Sequence, residues 1–159
     1  MTSQQYVPVS EQDEWSTALT WMVLPAGRAW QRAAGVALAR LGVSLSAAAL
    51  ILVVSRLGEG VRQKDVAEES AIDAAAIARS VTQLERDGLL QRRTDATDAR
   101  ARTLHLTAQG HALAERLEEA LAQLRRDVLG GVSEQDGACA VRVLAALETA
   151  CLAIVAGQE

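Results

Sequence analysis

The feature that most constrains this chain is a single change of period. From about Asp13 the apolar residues recur three and four apart, the spacing of one helical face. At 89–93 and again at 102–106 that spacing gives way to short strand-like runs, and Leu104 and Leu106 alternate with Thr103 and His105. A polar stretch of eight residues, Thr94, Asp95, Ala96, Thr97, Asp98, Ala99, Arg100 and Ala101, joins the two runs. After Thr107 the helical spacing returns. One β-hairpin set among helices predicts a mainly α fold with a small β-hairpin wing.

Composition agrees. The chain has 159 residues, within the range of one domain, and only 3% are aromatic, with no Phe. Ala and Leu carry the apolar content, and both favour helix. Sandwiches and barrels need β-branched and aromatic strands. The longest apolar run, 47–54, falls far short of the ~20 residues of a membrane-spanning helix. Residues 1–14 contain no Lys or Arg and no apolar stretch, so no secretory signal is expected. Two Cys make no disulfide framework, which sets a reduced, cytoplasmic location as the expectation. With two scattered His beside them, neither a metal nor another cofactor is expected.

The elements follow from spacing and caps. Residues 1–12 are polar and expected to fray. A first helix carries Trp15, Leu19, Met22 and Val23, and Pro25 predicts a kink or a restart near Leu24. Residues 26–41 are helical again, with Trp30, Ala34, Ala37, Leu38 and Leu41 on one side and Gly42 as the stop. Ser46 is expected to cap a helix over 47–57, closed by Gly58 and Gly60. A short helix spans 63–69, and Asp73 is expected to cap the next, 74–87. That helix turns Ile77, Val81 and Leu84 inward and ends at Gly88. Thr107 caps a long helix to Leu129 with Leu113, Leu117, Leu121, Leu124 and Val128 at helical spacing; Gly130 and Gly131 break it, and a last helix covers 133–156. The order is a helix-turn-helix followed by a two-stranded wing, framed by long outer helices. Those helices have more apolar surface than a core of this size needs, which predicts pairing with a second copy.

The net charge of −4 conceals a division. Residues 1–24 carry three acids and no base, and 113–159 carry eight acids against four Arg; 25–112 carry twelve bases against nine acids. A basic centre between acidic ends suits a nucleic-acid contact better than the total does.

The run Leu84-Glu85-Arg86-Asp87-Gly88-Leu89-Leu90-Gln91-Arg92-Arg93 is followed by Asp95, Asp98 and Arg100, then by Thr103-Leu104-His105-Leu106-Thr107-Ala108-Gln109-Gly110. This succession resembles the MarR family of bacterial regulators, closest to its SlyA-like branch. The matching stretch is 45–110, with the anchors "LE-x-x-GL", "D-x-x-D-x-R" and "LT-x-x-G" in order. The resemblance implies a symmetric homodimer. Residues 13–41 and 107–156 would be dimerisation helices, and 45–106 a winged helix-turn-helix lobe on double-stranded DNA. It further implies one domain over 1–159, a pseudo-palindromic operator and a small-molecule effector, with no membrane partner.

The same resemblance places Arg100 in the minor groove, where narrow A·T tracts concentrate negative potential. Asp98 would brace it through its guanidinium fork. Taken alone, both are equally solvated loop charges. The 74–87 helix corresponds to the recognition helix. It opens on Ala74, Ala75, Ala76 and Ala78, which can touch a thymine methyl but cannot hydrogen-bond a base. Arg79 is the exception and can pair with a guanine edge. Ser46, Gln63 and Lys64 lie near helix N-termini, where phosphates are held. Arg62 stands where the family usually has a small hydroxyl cap, and adds a base near the DNA. Arg92, Arg93 and Arg102 flank the wing as phosphate-neutralising candidates.

Trp15, Trp21 and Trp30, with Arg28 for an anionic group, are candidates for an effector pocket; ordinary dimer-core packing is the plainer alternative. Cys139 and Cys151 lie roughly 18 Å apart along one helix and cannot bond within it; buried, inert thiols are expected. His105 and His111 show no spaced partner that would make a catalytic triad, so no enzyme is expected. Two other readings stay open: a redox sensor on the same fold, and a protein-interaction module that has lost DNA binding. The regulator reading is a repressor released by its ligand.

Overall fold

The computed structural model describes residues 11–70 and 74–157, and the side chains of 14–66 and 75–157. Its elements in order are α1 (Glu11–Ala39), α2 (Leu45–Leu57), β1 (Val61–Arg62), α3 (Gln63–Ser70), α4 (Ala74–Arg86), β2 (Leu90–Thr94), β3 (Arg102–Leu106), α5 (Ala108–Leu129) and α6 (Glu134–Ala156). The chain is mainly helical with a small antiparallel sheet, as the change of period predicts. Its elements fall into two compact units, Met1–Leu124 and Arg125–Glu159.

In the first unit, α2 is the centre. Ser44 caps it from an extended backbone, accepting the Ala47 N–H at 3.2 Å. The expected cap, Ser46, instead lies inside the first turn, because Leu45 is already helical. Ala47, Ala48, Leu50, Ile51, Leu52 and Val54 are buried. They join a core with Ala34 and Leu38 of α1, Val66 of α3, Ile77, Val81 and Leu84 of α4, Leu90, Leu104 and Leu106 of the strands, and Leu113, Leu117 and Leu121 of α5. The inward assignments on α4 therefore hold. Asp73, the expected cap of α4, lies outside the described residues, as do residues 1–10.

Two expectations for the long helices change. α1 continues through Pro25 with no restart. Of the residues assigned to one side of it, only Ala34 and Leu38 are buried; Trp30 is exposed. On α5 the buried residues end at Leu121, and Val128 is exposed.

The wing has three strands rather than two. β3 pairs antiparallel with β2 (Arg93 opposite Thr103, Thr94 opposite Arg102) and with β1 (Arg62 opposite Thr103), giving the order β1-β3-β2. A two-residue strand leaves no alternation to read, so β1 is invisible to periodicity.

The join from wing to α5 explains the spacing of its motif. The Thr107 hydroxyl donates to the Gly88 carbonyl (2.7 Å) and accepts the Gly110 N–H (3.1 Å), while the Thr107 N–H donates to the Leu89 carbonyl (3.1 Å). A Cβ at position 110 would collide with that same Leu89 oxygen. Gly88 itself has φ 71°, a left-handed conformation that ends α4.

The second unit holds the end of α5 and α6. Ser133 caps α6, accepting the Asp136 N–H at 3.1 Å. No residue of α6 is buried. By length and composition α6 is long and apolar enough to cross a membrane. The run-length criterion missed it because Arg142 and Glu148 interrupt its apolar stretches. Cys139 and Cys151 are both exposed on α6, which overturns the expectation of buried thiols.

Candidate nucleic-acid interface

The face of α4 opposite its buried stripe consists of Ala75, Ala78, Arg79, Gln83 and Arg86, all exposed. Its period decides this: with Ile77, Val81 and Leu84 packed inward, the residues between them must point out. Two shallow grooves flank this face. One, of about 310 Å³, lies between the start of α2 and α4 and is lined by Ser44, Ser46, Ala47, Ala76, Arg79, Ser80 and Gln83. The other, about 450 Å³, is lined by Ala78, Arg79, Thr82, Gln83 and Arg86. Arg79 borders both. The structure thus brings Ser46, Ala76 and Arg79 to one place, with Ala75 on the neighbouring exposed surface. The side chain of Ala74 lies outside the described residues.

The wing loop is held by one carboxylate. Asp95 Oδ1 accepts the Thr97 N–H (2.7 Å), the Thr97 hydroxyl (2.7 Å) and the Asp98 N–H (3.1 Å); Oδ2 accepts Arg62 Nε (2.9 Å). The Thr97 and Arg62 hydrogen bonds hold the Asp95 carboxyl well below the usual carboxylate range. Asp98 accepts the backbone N–H of Arg100 at 3.0 Å, not its guanidinium. Asp98 therefore shapes the turn under Arg100. Among the described residues no hydrogen bond or ion pair holds the Arg100 side chain, which is exposed at the tip.

The flanking bases differ. Arg92 is paired with Glu85 of α4, which also accepts the Arg92 backbone N–H at 3.0 Å. This pairing lowers the Glu85 carboxyl, the Arg92 side-chain hydrogen bond being the main cause. Arg93 donates to Gln91 at 3.2 Å, and Arg102 donates to Thr94. All three guanidinium groups lie on the exposed surface of the hairpin. Gln63 and Lys64 open α3 directly after Arg62.

Sequence reasoning missed Asp95 as the hub and Arg62 as its partner. An Asp two residues before Thr97 is the pattern of a side-chain-capped turn and was a usable signal. It also missed Glu59, whose Oε2 accepts His105 Nδ1 (2.9 Å) and whose Oε1 accepts His111 Nε2 (3.0 Å). Burial alone would raise the Glu59 carboxyl; the two imidazole hydrogen bonds outweigh it and hold the group low. The two His thus share a carboxylate that spacing did not reveal. His105 Nε2 also lies 3.1 Å from the Thr103 hydroxyl, but Thr103 is only 8% exposed and closed to a substrate.

On α1, Trp21 and Arg28 meet with Thr20, Leu24 and Pro25 around a shallow hollow of about 310 Å³. Trp15 and Trp30 do not line it. Trp21 is 76% exposed and Trp15 57%.

Residues 41–101 match the sequence model of the MarR family. The fold is similar to a solved MarR family transcription regulator at TM-score 0.79 and 23% identity, over 94% of this chain and 97% of that one. It is also similar to the PcaV transcriptional regulator from Streptomyces coelicolor in complex with its natural ligand (TM-score 0.68, 23% identity, 79% and 91% covered). CouR from Rhodococcus jostii RHA1 bound to p-coumaroyl-CoA gives TM-score 0.74 and 21% identity, with 83% and 92% covered.

Proposed function

We propose, from the match of residues 41–101 to the MarR family model and from the fold, that the chain is a homodimeric, sequence-specific regulator of transcription with a winged helix-turn-helix, acting in the cytoplasm. Residues 45–106 are the DNA-binding lobe, and 13–41 and 107–156 pair with a second copy around a pseudo-palindromic operator. The observation that carries this reading is the outward pair of cations, Arg79 on the exposed face of α4 and Arg100 at the wing tip. A helix face flanked by grooves and a protruding Arg match a major-groove and a minor-groove contact, respectively. Ala75 and Ala78 offer no hydrogen bonds, so readout leans on DNA shape and backbone contacts. Arg93 and Arg102 on the exposed wing, with Gln63 and Lys64 at the start of α3, would neutralise phosphates in this reading.

The regulator is a repressor released by a small aromatic or anionic ligand. The ligand-bound relatives support this class, and Trp21 with Arg28 supplies an aromatic face beside a cation. The apolar surface of α6 is covered by the second copy rather than by lipid.

Selection from a random duplex library, followed by anisotropy titration at several salt concentrations, tests the reading. The expected result is a palindrome with half-sites about one helical turn apart and a steep salt slope. Arg100→Ala is expected to weaken binding about tenfold. If no motif is enriched and the two proteins titrate alike, the regulator reading fails and the interaction-module reading replaces it. Cys139 and Cys151, exposed on α6 of the single chain, raise one variant, redox control of the same regulator, which requires that they stay accessible when a second copy covers α6. Thiol labelling of the native protein with and without oxidant, read beside duplex binding, decides it.

A further inference from the structure

We propose that Arg62 is a positioning residue of the wing, clamping Asp95 so that the loop presents Arg100 in one orientation. The final step, presentation to a duplex, rests on the DNA-binding reading above; the clamp itself does not.

Arg62 ends β1, the edge strand opposite Thr103 of β3. From there its side chain spans the sheet to the first loop residue after β2. Nε donates to Asp95 Oδ2 at 2.9 Å, and Nη2 lies 3.4 Å from the Thr97 hydroxyl. The other oxygen of Asp95 receives Thr97 and Asp98, so one carboxylate joins the edge strand to the loop. Its side chain is only 12% exposed, although it belongs to a surface loop. The relay then continues by backbone. The Asp98 carbonyl accepts the Ala101 N–H at 2.9 Å, the Asp98 carboxylate accepts the Arg100 N–H at 3.0 Å, and the Asp95 N–H closes on the Ala101 carbonyl at 3.1 Å.

A cation meant for phosphate would keep its donors outward. Here two of them turn into the loop. The pair also neutralises a carboxylate that would otherwise repel the duplex backbone. The Arg62 guanidinium is held above its ordinary value, chiefly by the Asp95 hydrogen bond, which agrees with a committed pair.

The test compares wild type, Arg62→Ala, Asp95→Asn and the double variant in the full-length protein. Two readouts are taken: amide hydrogen exchange across 95–101 without DNA, and anisotropy titration of the duplex enriched by wild type. Asp95→Asn keeps an acceptor for Thr97 and Asp98 but removes the charge that Arg62 holds. Both single variants are expected to exchange about tenfold faster in the loop and to bind about tenfold more weakly. The salt slope should be unchanged, and the double variant no worse than either single. Unchanged exchange in Arg62→Ala overturns the proposal. So does tighter binding by Asp95→Asn together with a salt slope reduced by about one in Arg62→Ala, which would make Arg62 a direct phosphate contact. If wild type enriches no duplex, the regulator reading fails separately and the exchange arm decides the clamp: faster exchange in both single variants supports it, and no change overturns it.

Discussion

α2 and α6 are made of the same material and end in opposite states. Both are rich in Ala, Leu and Val, and both begin at a Ser cap. α2 has six buried residues, while α6 has none. The difference is what surrounds them. α2 sits within the core formed with α1, α3, α4, the strands and α5, whereas the described residues provide α6 with no cover. Apolar content states that a helix must be covered; it does not state by what. One helix is therefore a matter of folding and the other a matter of assembly.

Four experiments break or sharpen that contrast. The largest effect belongs to the join between the wing and α5. Gly110→Ala is expected to cost about 4 kcal/mol in urea unfolding, because its Cβ meets the Leu89 carbonyl and something must shift. Next, Ile51→Ala in α2 should cost about 3 kcal/mol through a cavity. Leu152→Ala in α6 should leave the stability of the lobe unchanged at low protein concentration; an equal loss at both sites would erase the distinction. Third, Ile154→Glu should raise the dimer dissociation constant about 100-fold, by placing a charge on the apolar surface, while the circular dichroism of the lobe stays native. Sedimentation velocity over a concentration series reads this; a monomeric wild type would sink the assembly reading.

The smallest effect is a pH term within the lobe. The Glu85 carboxyl is depressed by Arg92. A depressed carboxyl contributes its stability above the ordinary Glu range and loses it as pH falls through the lowered value. Both partners are partly exposed, so solvent screening limits the pair to about 0.5 kcal/mol. Urea titrations should show wild type ahead of Glu85→Gln near neutral pH and level with it once Glu85 is protonated. A gap that persists in acid would mean that the pair acts by packing and not by charge.

Much of the lobe was legible in the sequence. The spacing of Ile77, Val81 and Leu84 identified the inward face of α4, and therefore its outward face. Gly88 and Thr107 marked the ends that they in fact form. The misses have a common cause. Ser44 and Ser46 are both good caps, and only the backbone of Leu45 chooses between them. Asp98 stands at the right distance to brace Arg100, yet it holds the backbone instead of the guanidinium. Cys139 and Cys151 looked buried because they belong to an apolar helix, and that helix is exposed.

The sequence by itself determined the helices and the two strands of the hairpin, their approximate ends, and the apolar side of α4. Those properties depend on neighbours three or four residues away, through backbone geometry and side-chain spacing. Only the tertiary structure decided which charges meet. Arg62 and Asp95 are 33 positions apart, and Glu59 and His105 are 46. No local pattern couples such distant residues; they become neighbours only after β1 takes its place against β3. A hydrogen bond between side chains requires heavy atoms within about 3 Å of each other, and it is the packed sheet that brings them there.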